Sequence, residues 1–226
     1  MYRALRAVLL LSFAASPVLA QDGFDSSLFR AINQRLEPGK VGFVEILDYS
    51  SLPSFGAVSP GFILTGILSE NSETVRAGIL TGAGQVAALG ITVVIKELVR
   101  RPRPYQVLPG ARTKHVWSAG GSSFPSGHAS QAFAIATTLS LHYHTAAITI
   151  PLYLWATAIG YGRIYLGLHY PSDILGGMLI GTAAGFLAWS IRRDLDGISD
   201  KIVPPDPVLQ AHGGFARVFL LQVPLR

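Results

Sequence analysis

AGILTGAGQVAALGITVVIKELVRRPRP, residues 77–104, predicts a helix that crosses a membrane and ends in a cluster of cations. Residues 77–95 carry no charge, and their number matches the roughly 17–25 residues that a membrane span needs. Gly82, Gly84 and Gly90 would let neighbouring helices pack closely against this one. The stretch therefore predicts apolar helices that carry their charged groups at their ends.

Four further apolar segments predict a bundle of five spans. The composition agrees, because 50% of the residues are hydrophobic and 14% are charged, against roughly 25% charged in a typical soluble domain. We therefore expect an all-α polytopic membrane helix bundle. A soluble all-α protein is the alternative, because several segments are short for a span. The further segments are 54–68, 129–141, 145–161 and 174–189, the last with Gly177, Gly181 and Gly185 at small-xxx-small spacing.

The two ends of the chain differ from this bundle. Residues 1–20 have the pattern of a cleaved signal peptide, with Arg3 and Arg6 before an apolar stretch. A retained first membrane helix is the alternative and would make six spans. The absence of cysteine excludes disulfides, thiolate metal sites and cysteine nucleophiles. Residues 21–52 are expected to form an amphipathic external segment, or alternatively a soluble-facing cap. The bundle is expected at 53–193, and residues 194–226 form a tail of unknown role.

Three clusters of chemically active residues stand at the ends of predicted spans. They run from Lys96 to Pro104, from Ser123 to His128 and from Gly162 to Asp173. Alternation of the spans puts all three on the external side of the membrane. Ionisable residues that converge at the ends of membrane helices indicate a functional site.

The cations and the helix start in these clusters suit a phosphate. Lys96, Arg103 and Arg163 supply positive charge, and guanidinium forks match phosphate oxygens. Ser126 and Gly127 open a helix whose free N–H groups favour an anion. A phosphate-bearing substrate is therefore expected at this end of the bundle.

Two histidines and an aspartate predict the chemistry. Asp173 follows His169 by four residues, and Pro171 is predicted as the first helical position. A carboxylate so placed can fix the tautomer of His169 and stabilise its cationic form. His128 is a second group able to exchange protons near neutral pH. Together these residues predict phosphoryl transfer by a histidine nucleophile with no metal and no other cofactor.

The neighbouring cations and histidines receive simpler interpretations. Arg100, Arg101 and Arg112 are interpreted as orientation signals or lipid-headgroup contacts. His142 and His144 are predicted on the opposite side of the membrane from the site.

The three clusters resemble the tripartite signature of the type 2 phosphatidic acid phosphatase (PAP2) superfamily. Lys96, six residues and Arg103-Pro104 match its first motif, whereas Arg101-Pro102 has the wrong spacing. Pro125 to His128 match its second motif, and Arg163, His169 and Asp173 match its third. The departure is Gly162, which stands where the family usually has serine.

The resemblance implies a role for each matching residue. His169 would attack phosphorus and become a phosphohistidine, Asp173 would orient it, and His128 would protonate the leaving oxygen and then activate water. The residues implied to hold the phosphate oxygens are Lys96, Arg103, Arg163, Ser126 and the Gly127 N–H.

The function that follows is metal-independent hydrolysis of a lipid phosphate or diphosphate in the bacterial inner membrane, with the site facing the periplasm. The substrates implied by the family are undecaprenyl diphosphate, phosphatidylglycerol phosphate, phosphatidate and lipid A phosphates. Loop 105–122 is predicted to shape this choice. A soluble periplasmic acid phosphatase, a lipid phosphotransferase and a non-catalytic lipid-binding protein are the alternatives. No nucleic-acid partner is expected, because the positive charge is dispersed, and the oligomeric state is left open.

Overall fold

A computed structural model describes residues 23–35, 41–113 and 121–204 of the 226-residue chain. The described part is helical and contains no strand. Its elements are α1 (Phe24–Asn33), α2 (Val41–Leu68), α3 (Ser72–Val99), α4 (Pro104–Val107), α5 (Gly127–Tyr143), α6 (Ala146–Tyr165), α7 (Pro171–Ser190) and α8 (Arg192–Ile202).

Five long helices, α2, α3, α5, α6 and α7, form the bundle and confirm the all-α expectation. Among the described residues, three segments are long and apolar enough to cross a membrane, namely Val44–Leu68, Ser72–Val107 and Pro171–Ser190. Large apolar side chains such as Leu64, Val86 and Leu179 are exposed on the outside of the bundle. Water is a poor environment for so many exposed apolar groups, whereas lipid is a good one. The chain is therefore a membrane protein.

The central helix α5 packs against α3, α6 and α7 and is lined with small residues. Gly177, Gly181 and Gly185 form the stripe of α7 that lies on it, and a Cβ at Gly181 would collide with the backbone of Ser130. The small-xxx-small prediction is thus confirmed for α7. On α3, the predicted close packing against neighbouring helices is found at Gly82 and Gly84. It is not found at Gly90, which has open space beside it.

Polar side chains link α3 to α5 inside the bundle. Thr92 donates a 2.9 Å hydrogen bond to Ser130, and Thr138 donates one of 3.3 Å to Thr81. Between these pairs, the Gln131 amide donates to the backbone carbonyl of Gln85 at 3.0 Å. We call these three links the α3–α5 polar ladder. Each joins polar groups of the two helices to one another in an apolar interior.

The N-terminal segment differs from the expected division at residue 52. The amphipathic α1 exists and buries Ser26, Phe29 and Asn33, but residues 41–52 belong to the long helix α2. Pro53 and Pro60 lie inside α2 without ending it. Membrane helices tolerate proline because neighbouring groups can satisfy the freed carbonyls. Between the two prolines, the carbonyl of Phe55 accepts a 2.8 Å hydrogen bond from the Gln85 amide of α3. The proposed signal segment 1–20 lies outside the described residues.

The end of the bundle away from the three clusters carries its own polar contacts. Arg76 at the start of α3 forms ion pairs with Glu73 at 2.6 Å and with Asp200 of α8 at 2.7 Å. His142 lies 3.8 Å from Glu73, and the His144 ring packs edge-on against Trp189. These histidines therefore lie at the opposite end, as the sequence predicts. The tail prediction is only partly described, since α8 covers its start and residues 205–226 lie outside the described part.

Candidate active site

The three clusters meet at one end of the bundle, because each stands where a helix ends or begins there. The first follows the C-terminus of α3, the second opens α5, and the third joins α6 to α7. Helix α1 packs over the same end, against α6 and α7. The groups that the sequence singles out thus share one location.

His169 lies in the turn between α6 and α7 and is 1% exposed. Its Nε2 atom lies 3.4 Å from Nη1 of Arg103, and its Nδ1 atom lies 3.5 Å from Oδ2 of Asp173. A guanidinium group can only donate hydrogen bonds, so Nε2 must present its lone pair and Nδ1 must carry the proton. Burial lowers the pKa of His169 to about 3 against the opposing effect of Asp173. The imidazole is therefore neutral at neutral pH, with an unprotonated Nε2 that faces Arg103.

The turn that carries His169 is held from several sides. The carbonyl of Arg163 accepts hydrogen bonds from the N–H groups of Leu168 and His169, at 3.0 and 3.3 Å. Gly167 has a φ of +79°, and a Cβ there would collide with the carbonyl of Arg112. Asn33 of α1 donates to the carbonyls of Arg112 and Tyr165, at 2.8 and 2.9 Å. The orientation of the imidazole is thus set by backbone contacts from three separate segments.

Asp173 lies in the first turn of α7, which begins at Pro171 as the sequence predicts. The carboxylate is fully buried and accepts hydrogen bonds through both oxygens. Oδ2 accepts from the hydroxyl of Ser123 at 2.5 Å and from the backbone N–H of Tyr170 at 2.8 Å. Oδ1 accepts from Nη1 of Arg101 at 2.7 Å. Such a set of donors keeps the buried carboxylate ionised and fixes its orientation.

His128 is the second residue of α5, and Ser126 is the N-cap. The Ser126 hydroxyl accepts from the N–H of Ala129 at 3.4 Å, so it caps the helix in this structure. The edge of the His128 ring meets the ring of Phe55, with centroids 5.6 Å apart. Its Nε2 atom is buried and has no hydrogen-bond partner among the described residues. A buried polar atom without a partner requires an explanation, and a bound substrate oxygen provides one.

The three predicted phosphate-binding cations converge on the two histidines. Lys96 donates to the carbonyl of Ser122 at 2.5 Å. Arg103 donates to the carbonyls of Gly121 and Leu168, at 3.2 and 3.1 Å, while Arg163 is 1% exposed. All three cations lie close enough to His128 for their charges to act on it. Such a concentration of buried positive charge favours the binding of an anion beside the two histidines.

Sequence reasoning missed three residues of this site, and its interpretation of Arg101 is wrong. Arg101 is buried and contacts Asp173, whereas the neighbouring Arg100 side chain is 78% exposed. Ser123 was treated only as part of a cluster, although it donates to Asp173. Asp25 of α1 also reaches the site through Arg101, and no sequence signal indicated it. At Gly162, where the family usually has serine, the Val44 side chain lies 3.2 Å from the position of a Cβ, which is a tight contact.

The fold and the site define a class: membrane helix bundles with a histidine–aspartate pair beside buried cations. Residues 77–196 match the PAP2 superfamily, and the chain belongs to that family. The expected resemblance is confirmed, and the chain is a PAP2-type membrane phosphatase.

Relatives and a solved structure agree with this placement. The chain is 41% identical over 87 residues to the lipid A 4'-phosphatase of Bacteroides thetaiotaomicron, which is 38% of this chain and 39% of that protein's length. It is 30% identical over 155 residues to the undecaprenyl-diphosphatase BcrC of Bacillus subtilis, which is 67% of this chain and 77% of that protein. The crystal structure of LpxE from Aquifex aeolicus is similar with a TM-score of 0.64 and 28% identity, covering 76% of this chain and 98% of that chain.

Proposed function

We propose that the protein hydrolyses a lipid phosphate or diphosphate through a phosphohistidine formed on Nε2 of His169. The observation that carries this proposal is the position of the imidazole between Arg103 and Asp173, at 3.4 and 3.5 Å. Asp173 faces the protonated Nδ1, so the unprotonated Nε2 is the nucleophilic atom. A neutral, oriented imidazole is the form that can attack phosphorus.

In the first step, Nε2 of His169 attacks phosphorus and the bond from phosphorus to the lipid oxygen breaks. His128 Nε2 gives its proton to that leaving oxygen. Asp173 stabilises the positive charge that develops on His169. Lys96, Arg103 and Arg163 offset the charge on the three equatorial oxygens.

In the second step, His128 accepts a proton from water, and the resulting hydroxide attacks the phosphohistidine. The bond from phosphorus to Nε2 breaks, inorganic phosphate leaves, and His128 has recovered the proton that it gave to the lipid. One residue serves as acid and then as base, so each turnover restores both histidines. The proposal needs no metal ion, since the cationic side chains supply the electrostatic stabilisation.

Two observations support a lipid substrate over a soluble phosphate ester. The site lies where the membrane helices end or begin, and such helix ends are expected close to the lipid headgroups. The relatives named above act on lipid A and on undecaprenyl diphosphate. We therefore propose one of these two lipid classes, with the site on the periplasmic face of the inner membrane.

The test is release of inorganic phosphate by the full chain in detergent, with EDTA present. Lipid A, undecaprenyl diphosphate, phosphatidylglycerol phosphate and phosphatidate are compared with a soluble aryl phosphate. His169→Ala is the inactive control, and His142→Ala at the opposite end is the matched histidine control.

We expect release from at least one lipid, loss of it in His169→Ala, and normal release in His142→Ala. Wild-type activity in His169→Ala would overturn the mechanism. Release from the aryl phosphate alone would overturn the lipid assignment, and activity that EDTA abolishes would overturn the metal-independent step.

A further inference from the structure

A chain of charged groups runs from α1 to the histidine turn. Nη2 of Arg101 donates to Oδ2 of Asp25 at 2.7 Å, and Nη1 donates to Oδ1 of Asp173 at 2.7 Å. The guanidinium group therefore bridges two carboxylates that lie on different helices. The side chains of Arg101, Asp25 and Asp173 are 6%, 16% and 0% exposed, so solvent screens these ion pairs weakly.

Asp25 also holds the first turn of α7. Its Oδ1 accepts from the backbone N–H of Ser172 at 2.9 Å, and its Oδ2 accepts from the Ser172 hydroxyl at 2.6 Å. Arg101 donates to the same hydroxyl at 2.7 Å. Ser172 directly precedes Asp173, so Asp25 contacts the backbone that carries the carboxylate as well as the cation that binds it.

The guanidinium plane of Arg101 is itself fixed. Its central carbon lies 3.8 Å from the centre of the Tyr170 ring, and Tyr170 directly follows His169. The Tyr170 ring packs against Phe29 of α1, with centroids 5.8 Å apart. Helix α1 thus contacts this group of residues in two ways. Asp25 forms the ion pair with Arg101, and Phe29 packs against the Tyr170 ring.

The two oxygens of Asp173 serve different partners. Oδ2 faces Nδ1 of His169, while Oδ1 is held by Arg101. Without Arg101, Oδ1 would lose its charged donor, and only the two neutral donors to Oδ2, the Ser123 hydroxyl and the Tyr170 N–H, would hold the carboxylate against rotation. The 3.5 Å separation between Oδ2 and Nδ1 leaves little room for such movement before the imidazole loses its orienting group.

We propose that Arg101 and Asp25 are positioning residues for the nucleophile. Arg101 holds Asp173 toward His169, and Asp25 holds Arg101. This inference rests on the proposed function, because it concerns the same histidine. It extends the site to a helix that precedes the family match at 77–196 and gives α1 a role in turnover.

The test compares Arg101→Gln and Asp25→Asn with wild type in the full detergent-purified chain. The lipid substrate is the one that wild type hydrolyses, and both steady-state constants and the rate of phosphohistidine formation are measured. Arg100→Gln is the matched control, because it makes the same chemical change at the adjacent exposed arginine. Size-exclusion profiles and thermal unfolding establish that each variant is folded.

We expect kcat and the phosphohistidine formation rate to fall about 10–100-fold in Arg101→Gln with a much smaller change in KM, the range found when an orienting partner of a functional histidine is removed. Asp25→Asn should show a smaller loss of the same kind. The double variant should be little slower than Arg101→Gln, because the amide oxygen in Asp25→Asn can keep the hydrogen bond from the Ser172 N–H and the remaining effect of Asp25 passes through Arg101. Arg100→Gln should match wild type.

Two results would overturn the inference. One is a folded Arg101→Gln variant with wild-type kcat, and the other is a loss confined to KM or to folded yield. If Arg101→Gln fails to fold, Asp25→Asn is judged by the same two criteria. Asp25 is partly exposed, and the amide oxygen of the variant can still accept a hydrogen bond from Ser172, so this variant is expected to fold. A wild-type protein that releases no phosphate would contradict the proposed function instead.

Discussion

The backbone N–H of Ser126 donates a 2.9 Å hydrogen bond to the backbone carbonyl of Asp173. The N-cap of α5 is thereby joined to the first turn of α7. His128 lies two residues after Ser126, and His169 is oriented by Asp173. One main-chain contact therefore connects the segment of the proposed acid–base group to the segment of the proposed nucleophile. Because it joins backbone atoms, replacing the side chain of Ser126 or Asp173 leaves its donor and acceptor in place.

Replacing His128 should separate the two proposed steps. An aryl phosphate has a good leaving group, so His128→Asn should still form the phosphohistidine from it. Hydrolysis of the intermediate still needs a base, and steady-state turnover should fall by about 10²–10⁴-fold, the usual contribution of a general acid–base group. Radiolabelled phosphate should then accumulate on the protein in an acid-labile, base-stable form. A His128→Asn variant that turns over at the wild-type rate would contradict the assignment.

Gly167→Ala should damage activity through the backbone. The position has a φ of +79° and no room for a Cβ beside the Arg112 carbonyl. The left-handed conformation alone costs an alanine about 1–2 kcal/mol, and relief of the collision would move the turn that carries His169. Phosphate release and the thermal midpoint should both fall. Gly90→Ala, which meets no neighbouring atom, is the control and should retain full activity.

Acidification should destabilise the protein partly through His169. Its pKa is 6.5 when unfolded and about 3 when folded, because burial disfavours the charged form. Between these values the unfolded chain binds a proton that the folded chain does not, so stability is highest above pH 6.5 and falls as the pH decreases toward 3. Thermal midpoints of wild type and His169→Asn at several pH values test this. The midpoint of the variant should fall less steeply, and equal slopes would refute the linkage.

Gly181→Ala should destabilise the contact between α5 and α7. The added Cβ would meet the backbone of Ser130 and Ala134, which cannot move as a flexible side chain can. Overpacking of this kind costs about 1–3 kcal/mol. The same exchange at Gly90 should be neutral or stabilising, since alanine is the better helix former and the space is open. Unfolding midpoints in detergent measure the difference, and equal midpoints for the two variants would count against close packing at Gly181.

The sequence predicted the helix ends of the site well, because membrane spans alternate and bring every second connection to the same side. Lys96, His128 and His169 could be placed together on that ground. The sequence could not show which of Arg100 and Arg101 faces the site, because this depends on the backbone conformation at the end of α3. Arg100 takes a φ of +49° and ends α3, which turns its own side chain outward and the next one inward.

The extent of α2 and the role of α1 were also beyond sequence reasoning. The expected division fell at residue 52, whereas α2 runs from Val41 to Leu68 and continues through Pro53. Asp25 accepts a hydrogen bond from Ser172, which lies 147 positions further along the chain. Local sequence patterns do not predict a contact between residues so far apart. Periodicity indicates which face of a helix is buried, whereas the partner of that face is decided by the tertiary packing.

The α3–α5 polar ladder has a consequence for how the bundle assembles. Helices whose contacts are wholly apolar can slide along one another by a turn and still fill their interface. Here a slip of one turn would separate Thr92 from Ser130 and Thr81 from Thr138, and water is absent to replace these hydrogen bonds between the helices. Thr81 and Thr138 would keep only their bonds to the carbonyls of Ala77 and Ala134 in their own helices. Lys96 lies one helical turn beyond Thr92, and His128 lies two residues before Ser130. The hydroxyl pairs thus define a single axial register, and that register sets the spacing between the phosphate-binding lysine and the proposed acid–base histidine.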